Sequence, residues 1–274
     1  MNNRILYSNN GTIEDMSVAL GNYASGTKSL TFVAAEDAIY IGSRLPLNHI
    51  YFKLSSASSI NASMSVQYYD GDAWVNMVEL IDETAGLSAS GFIQFTPDRL
   101  KGWMMRATNY AGESVLGLTS VTIYDLYWLK VTFASNFTAT LAWVGNLFSN
   151  DADLGAEYPD LVRPATISNY KPGKTNWEEQ HVRAASILVD DLINKNVICG
   201  PGQILDWREF TNAAIHKTAE IALNAFGDDY VENVISARKE YNERLSKRAY
   251  RVDRNNDAIE TASEHHQTLG YFTR

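Results

Sequence analysis

Met64-Ser-Val-Gln-Tyr-Tyr-Asp70-Gly71-Asp72-Ala73-Trp-Val-Asn-Met-Val78 decides how the first half of this chain is read. Its two flanking runs alternate with a period of two, which sends successive side chains to opposite faces of a strand. The Asp-Gly-Asp between them is a hairpin turn, because glycine reaches the positive φ that a tight reversal needs. The two runs are therefore expected to pair antiparallel.

Outward from this hairpin the same texture extends from Ser29 to about Leu147. Ala38-Ile-Tyr-Ile-Gly-Ser43 precedes a turn at Pro46, and Ile50-Tyr-Phe-Lys-Leu54 follows it. Phe92-Ile-Gln-Phe95 stops at Pro97, and Tyr127-Trp-Leu-Lys-Val-Thr-Phe133 and Thr138-Ala-Thr-Leu-Ala-Trp-Val144 close the series. About seven or eight short runs separated by turn residues predict an antiparallel β-sandwich or jelly roll over residues 1–150. Trp74, Trp103, Trp128 and Trp143 are its expected heavy core residues.

The texture then changes. Residues 151–174 hold three of the six prolines and read as an extended linker. From Thr175 the period is helical: Thr175 and Glu178 form a capping-box pattern, and Trp177, Ala184, Leu188 and Leu192 share a stripe before the Gly200-Pro201-Gly202 stop. Asp206 with Glu209 opens a second helix bearing Phe210, Ala214, Thr218, Ile221 and Ala225, which ends at Gly227. Asp228 caps a third, striped by Val231, Val234, Tyr241 and Leu245. Short joins make the three antiparallel neighbours in a bundle over 175–251, followed by a polar tail over 252–274. The fold class is therefore α+β in two domains, and the modest stripes call for a partner to complete the bundle's core.

Totals narrow the function. A chain of 274 residues is long enough for two cores, and 45% hydrophobic with 20% charged residues is an ordinary globular composition. A net charge of −9 argues against broad contact with a nucleic-acid backbone, which depends on Lys and Arg displacing counterions. The lone Cys199 forms no internal disulfide and is expected as a buried thiol. The N-terminal residues lack the apolar run of a secretory signal, and no stretch has the length of a membrane span, so the protein is expected to be cytoplasmic or to leave the cell inside a larger particle.

No catalytic set emerges. His49, His181, His216, His265 and His266 match no nucleophile-elbow or zinc-protease spacing, and surface or capping roles are expected for His181 and His216. Adjacent acidic pairs such as Glu178-Glu179, Asp190-Asp191 and Asp228-Asp229 point about 100° apart on a helix, and first-turn acids suit the helix dipole. No enzyme activity and no cofactor are expected. Asp253, Asn255, Asp257 and Glu264 occupy positions 1, 3, 5 and 12 of a calcium-loop template, but Ala258 stands where the template needs glycine. A calcium loop and an Asn/Asp turn are the alternatives there. Arg238, Lys239, Arg244, Lys247, Arg248, Arg251 and Arg254 make the end of the third helix basic, either through the dipole alone or to face an acidic partner or DNA in a channel. Tyr68, Tyr69, Tyr124 and Tyr127 are candidates for a sugar-stacking platform, although alternation sends half of them inward.

Two stretches carry a resemblance. Val66-Gln-Tyr-Tyr-Asp-Gly-Asp-Ala-Trp-Val75, Gly91-Phe-Ile-Gln-Phe-Thr-Pro97 and Tyr127-Trp-Leu-Lys-Val131 resemble β-sandwich modules of tailed-bacteriophage virion proteins. Trp177-Glu-Glu-Gln, Asp206-Trp-Arg-Glu-Phe, Phe226-Gly-Asp-Asp-Tyr230 and the basic third helix are similar to the helical adaptors of phage head–tail connectors. The resemblance implies a virion neck protein made in the host cytoplasm: a homo-oligomeric ring, usually dodecameric, that sits below the portal protein and meets the next neck or tail-terminator ring around a DNA channel. By the same resemblance 252–274 is a portal-docking tail with Tyr271 and Phe272 as apolar anchors. The other reading is a tail-tip or baseplate module that binds host-surface carbohydrate through the sandwich.

Overall fold

The computed structural model describes residues 3–106, 126–247, 250–259, 261 and 264. The chain forms two compact units, Met1–Gly145 with Asn255–Ile259, and Asn146–Arg254 with Glu260–Arg274. Its class is α+β, built from two antiparallel sheets and a set of helices.

In the first unit the strands are β1 (Arg4–Asn9), β2 (Thr12–Asp15), β3 (Lys28–Phe32), β4 (Ala38–Ser43), β5 (His49–Ser56), β6 (Met64–Tyr69), β7 (Trp74–Asn76), β8 (Glu79–Asp82), β9 (Gly91–Thr96), β10 (Met105–Arg106), β11 (Leu126–Phe133) and β12 (Phe137–Gly145), with a short helix α1 (Ser17–Gly21). One sheet runs β2-β1-β4-β11-β6-β7, with β10 also on β11, and the other runs β3-β12-β5-β9-β8. Among the described residues neither sheet closes on itself.

Register explains the core. Ile5, Ile41, Leu129 and Tyr68 lie in one row across four neighbouring strands, and Tyr7, Ile39, Val131 and Val66 in the next. The second sheet presents Phe32 beside Phe137, Ile50 beside Ile93 and Leu80 beside Phe95. All of these join one apolar cluster. Because the side-chain period is two, a one-residue slip in any central strand would turn its apolar set away from this cluster.

The quoted hairpin forms as expected, with Tyr69 opposite Trp74. Asp70 accepts hydrogen bonds from the N–H groups of Asp72 and Ala73, and Gly71 takes a φ of 107°. Those two N–H bonds hold the Asp70 carboxyl below the usual range. The tryptophans divide differently from expectation. Trp103 enters the shared core, whereas Trp128 sits with Leu6, Tyr40 and Tyr69 in a second cluster on the other face of the larger sheet, flanked by Trp74. Gly42 lies under the Trp128 ring, where an added Cβ would stand 2.8 Å from the indole.

The second unit contains α2 (Asp151–Glu157), α3 (Pro164–Tyr170), α4 (Glu178–Asn194), α5 (Thr211–Leu223) and α6 (Val231–Lys247). The extended linker expected over 151–174 is corrected: this stretch is largely helical. Asn150 and Asp153 form a reciprocal capping box that starts α2, and Pro164 stands at the first turn of α3, where its missing N–H costs nothing. Both helices bury residues, since Leu154, Leu161 and Ile167 pack with Trp177, Ile215, Ala219 and Val234. The Trp177 indole N–H donates to the Leu161 carbonyl at 2.8 Å.

The three longer helices fall where periodicity placed them, and α5 packs against both α4 and α6. Local details differ. Thr175 does not cap α4; the N–H of Trp177 donates instead to the Asp151 carboxylate. Asp206 does cap, accepting from the Arg208 N–H at the short 3-10 turn Trp207–Phe210 that leads into α5. On α6, Val234, Tyr241 and Leu245 are buried as expected, but Val231 is 47% exposed. Cys199, expected inside, is exposed. No described helix is long and apolar enough to cross a membrane.

Candidate interaction surface

Among the described basic residues of this cluster, Arg238 and Arg251 are engaged by acids on other elements. Arg238 Nε donates to Glu220 at 2.8 Å, and Lys217 Nζ reaches the same carboxylate at 2.8 Å. Glu220 is 6% exposed. Burial alone would raise its carboxyl, but the bonds and charges of Lys217 and Arg238 hold it below the usual range. The Lys217 ammonium also lies 4.4 Å from the Tyr241 ring centre, and Tyr241 donates to Asp191 at 2.6 Å. Burial and the Asp191 carboxylate push the Tyr241 hydroxyl upward. This polar network ties α4, α5 and α6 together and fixes their rotation, because each member has a geometry-specific partner.

Arg251 belongs to a second network. Its Nε donates to Glu209 at 2.5 Å, its second guanidinium nitrogen to Asp206 at 2.7 Å, and its backbone N–H to Glu209 at 3.1 Å. Val252 forms an antiparallel bridge with Ile204, the Asp253 N–H donates to the Gln203 carbonyl at 2.8 Å, and Tyr250 stacks on Phe210 at 4.7 Å. The stretch 250–253 is therefore clamped to the loop before α5. Burial would raise Asp206, but hydrogen bonds from Arg208 and the charges of Arg208 and Arg251 hold it low.

Of the remaining cations, Arg244 lies 3.7 Å from Glu240 one turn earlier, while Lys239 and Arg254 are exposed. Lys247 ends α6, Arg248 lies outside the described residues, and so do Tyr271 and Phe272. A polar tail starting at Val252 is corrected. Val252, Asp253, Ala258 and Ile259 are buried: Val252 bridges to Ile204, the Asp253 N–H donates to the Gln203 carbonyl, and Ala258 joins the apolar cluster of the first unit.

Of the two readings of this segment, its hydrogen bonds are those of the Asn/Asp turn. Glu264 spends its oxygens on the Arg254 and Thr261 N–H groups and the Thr261 hydroxyl, and Asp257 caps the Ile259 N–H. Ala258 does take a φ of 61°, despite its Cβ. Asp253 is fully buried, and Asn255 donates to Asp257 in an Asn/Asp turn. Among the described residues no group of His, Cys, Asp and Glu is placed to hold a metal.

His49, His181 and His216 are internal rather than on the surface, and His265 and His266 lie outside the described residues. His181 is 1% exposed, with Nδ1 at 2.8 Å from Ser149 Oγ and Nε2 at 3.2 Å from Asp151. Ser149 and Asp151, two residues apart, thus meet the distant His181, but Ser149 is itself 1% exposed and its hydroxyl is closed to a substrate carbonyl in this structure. His216 pairs with the Tyr158 hydroxyl at 2.8 Å, and burial lowers its imidazole. The proposed sugar platform loses its main members. Tyr68 enters the shared core and Tyr69 the outer cluster, both buried, and Tyr124 lies outside the described residues.

An α+β chain of two antiparallel sheets and packed helices has many relatives in shape alone. No protein-family profile matches this one, and no curated protein sequence matches it significantly. Among solved structures, a chitosan-binding module from a chitosanase/glucanase of Paenibacillus sp. IK-5 is 11% identical, covering 53% of this chain and 94% of its own, with a TM-score of 0.30. A pectin-binding carbohydrate-binding module is 9% identical, covering 52% and 86%, at a TM-score of 0.23. A family 89 glycoside hydrolase from Clostridium perfringens is 10% identical, covering 78% of this chain and 21% of its own, at 0.28. Likenesses this remote assign no ligand.

Proposed function

We propose that the chain is a non-enzymatic structural subunit of a tailed-phage neck, with an N-terminal β-sandwich domain and a C-terminal helical bundle domain that assembles as a ring and joins head to tail. The observation that supports this reading best is the clamp at residues 250–253. A subunit that transmits load through its C-terminal segment needs that segment fixed at its root, and here a forked Arg251, a β-bridge and a stacked Tyr250 do so. The bidentate arrangement resists rotation as well as extension. The ring partner, the portal and a neighbouring tail ring follow from the resemblance to head–tail adaptors.

The test is a truncation after Glu264, beyond the clamp and the described residues. The shortened chain should keep its melting temperature, while heads matured with it should fail to join tails in an infection-complementation assay. Normal particle yield from the truncated chain overturns the docking role.

A further inference from the structure

The face of α6 opposite its packed stripe has no assigned use. Val234, Ala237, Tyr241 and Leu245 are buried, whereas Val231 and Ile235 are 47% and 58% exposed. At about 100° per residue, Val231, Ile235, Lys239 and Glu232 share an outward arc of roughly 100°. Glu232 and Lys239 are both exposed, and neither makes an ion pair among the described residues. On this arc Glu232 precedes Ile235 and Lys239 follows it, with Glu240 and Glu243 further along the helix.

We propose that this face pairs with the same face of a second copy, the two α6 helices running antiparallel about a two-fold axis at Ile235. The argument is charge and spacing. Glu232 lies about 4.5 Å before Ile235 along the helix and Lys239 about 6 Å after it, so reversal brings each Glu232 opposite the partner copy's Lys239 to within about 1.5 Å of register. The pair therefore makes two such contacts around an apolar centre of Ile235 flanked by Val231, and the helix dipoles oppose favourably. A parallel pair would set Glu232 on Glu232 and Lys239 on Lys239. One helix face is small for an interface, so the association is of the transient class. A two-fold contact closes on itself and does not propagate, which distinguishes it from the ring contact of the proposed function and makes it a form held before assembly.

The test uses the full chain with Cys199→Ser, so that the exposed native thiol does not interfere. Ile235→Cys should cross-link to itself under mild oxidation, and Val231→Cys should do so at least tenfold more slowly, because a disulfide needs its Cα atoms within about 7 Å. In sedimentation equilibrium at protein concentrations on the order of 100 µM, the native chain should dimerise. Glu232→Lys and Lys239→Glu should each abolish the dimer, and the double reversal should restore it. A native monomer, equal cross-linking at both positions, or a double reversal that stays monomeric overturns the proposal. Far-UV circular dichroism checks that these exposed substitutions leave the fold intact. A dimer from a protein absent from the neck would refute the ring and leave this contact standing; neck rings without the Ile235 cross-link would do the reverse.

Discussion

Replacing Arg251 with alanine should open the clamp without unfolding the helices around it. The Arg251 side chain is 33% exposed and its partners Asp206 and Glu209 are 11% and 19% exposed, so the pairs are neither solvent-screened nor sealed. Charge-assisted bonds contribute about 1.5–3 kcal/mol each when shielded, and partial exposure brings the two together to about 2 kcal/mol. Asp206 keeps Arg208 at 2.8 Å, so most of the loss falls on Glu209. Hydrogen exchange reads the result locally. The Asp253 N–H, bonded to Gln203, and the Leu205 N–H, bonded to Arg251, should exchange about thirtyfold faster, while amides in the middle of α5 do not change. The pH dependence has a defined sign. Because Asp206 is held below its ordinary range in the folded chain, its contribution is complete above the unfolded carboxylate pKa and is lost as pH falls through the folded one. Relative to the intrinsic exchange rate at each pH, acid should therefore lower the protection of the same two amides in the native chain and have less effect in Arg251→Ala. Unchanged exchange at Leu205 and Asp253 in the variant would refute the clamp.

Three further outcomes follow from the packing. Glu220→Gln leaves Lys217 and Arg238 without their shared charge and should cost about 2–3 kcal/mol in urea unfolding monitored on the helical signal, with the deficit shrinking as pH falls through the depressed folded pKa of Glu220. Gly86→Ala puts a Cβ 1.9 Å from the Ala62 carbonyl oxygen at a φ of 67°, so its loop must move; a loss above about 2 kcal/mol in thermal unfolding is expected, and a native melting temperature would contradict this packing. Calcium titration by calorimetry should give only the heat of dilution, since Glu264 and Asp257 already cap backbone N–H groups, and a saturable heat would restore the calcium loop.

Much of the fold is legible in short-range signals. The Asp70-Gly71-Asp72 hairpin and the helical stripes of Trp177, Leu188 and Leu192 are local patterns, and they form as read. The β1–β2 hairpin lies outside the span read as strands, yet its signal is present: Asn10 and Gly11 take φ values of 45° and 79°, the turn an Asn-Gly pair favours. Prolines misdirect the reading of 151–174, because Pro164 begins a helix as readily as it ends one. The basic cluster was legible as residues but not as a surface. Arg238 and Arg251 find their acids on other elements, at Glu220 and at Asp206 and Glu209, and no spacing rule along α6 reveals those partners. Burial of both Tyr68 and Tyr69 likewise depends on a second apolar cluster on the sheet's other face, which alternation alone assigns to solvent.

Position in the particle tests the neck assignment most directly. Virions decorated with an antibody raised against residues 1–145 and imaged in negative stain should carry label at the junction of head and tail. Label at the distal tip of the tail would contradict the account.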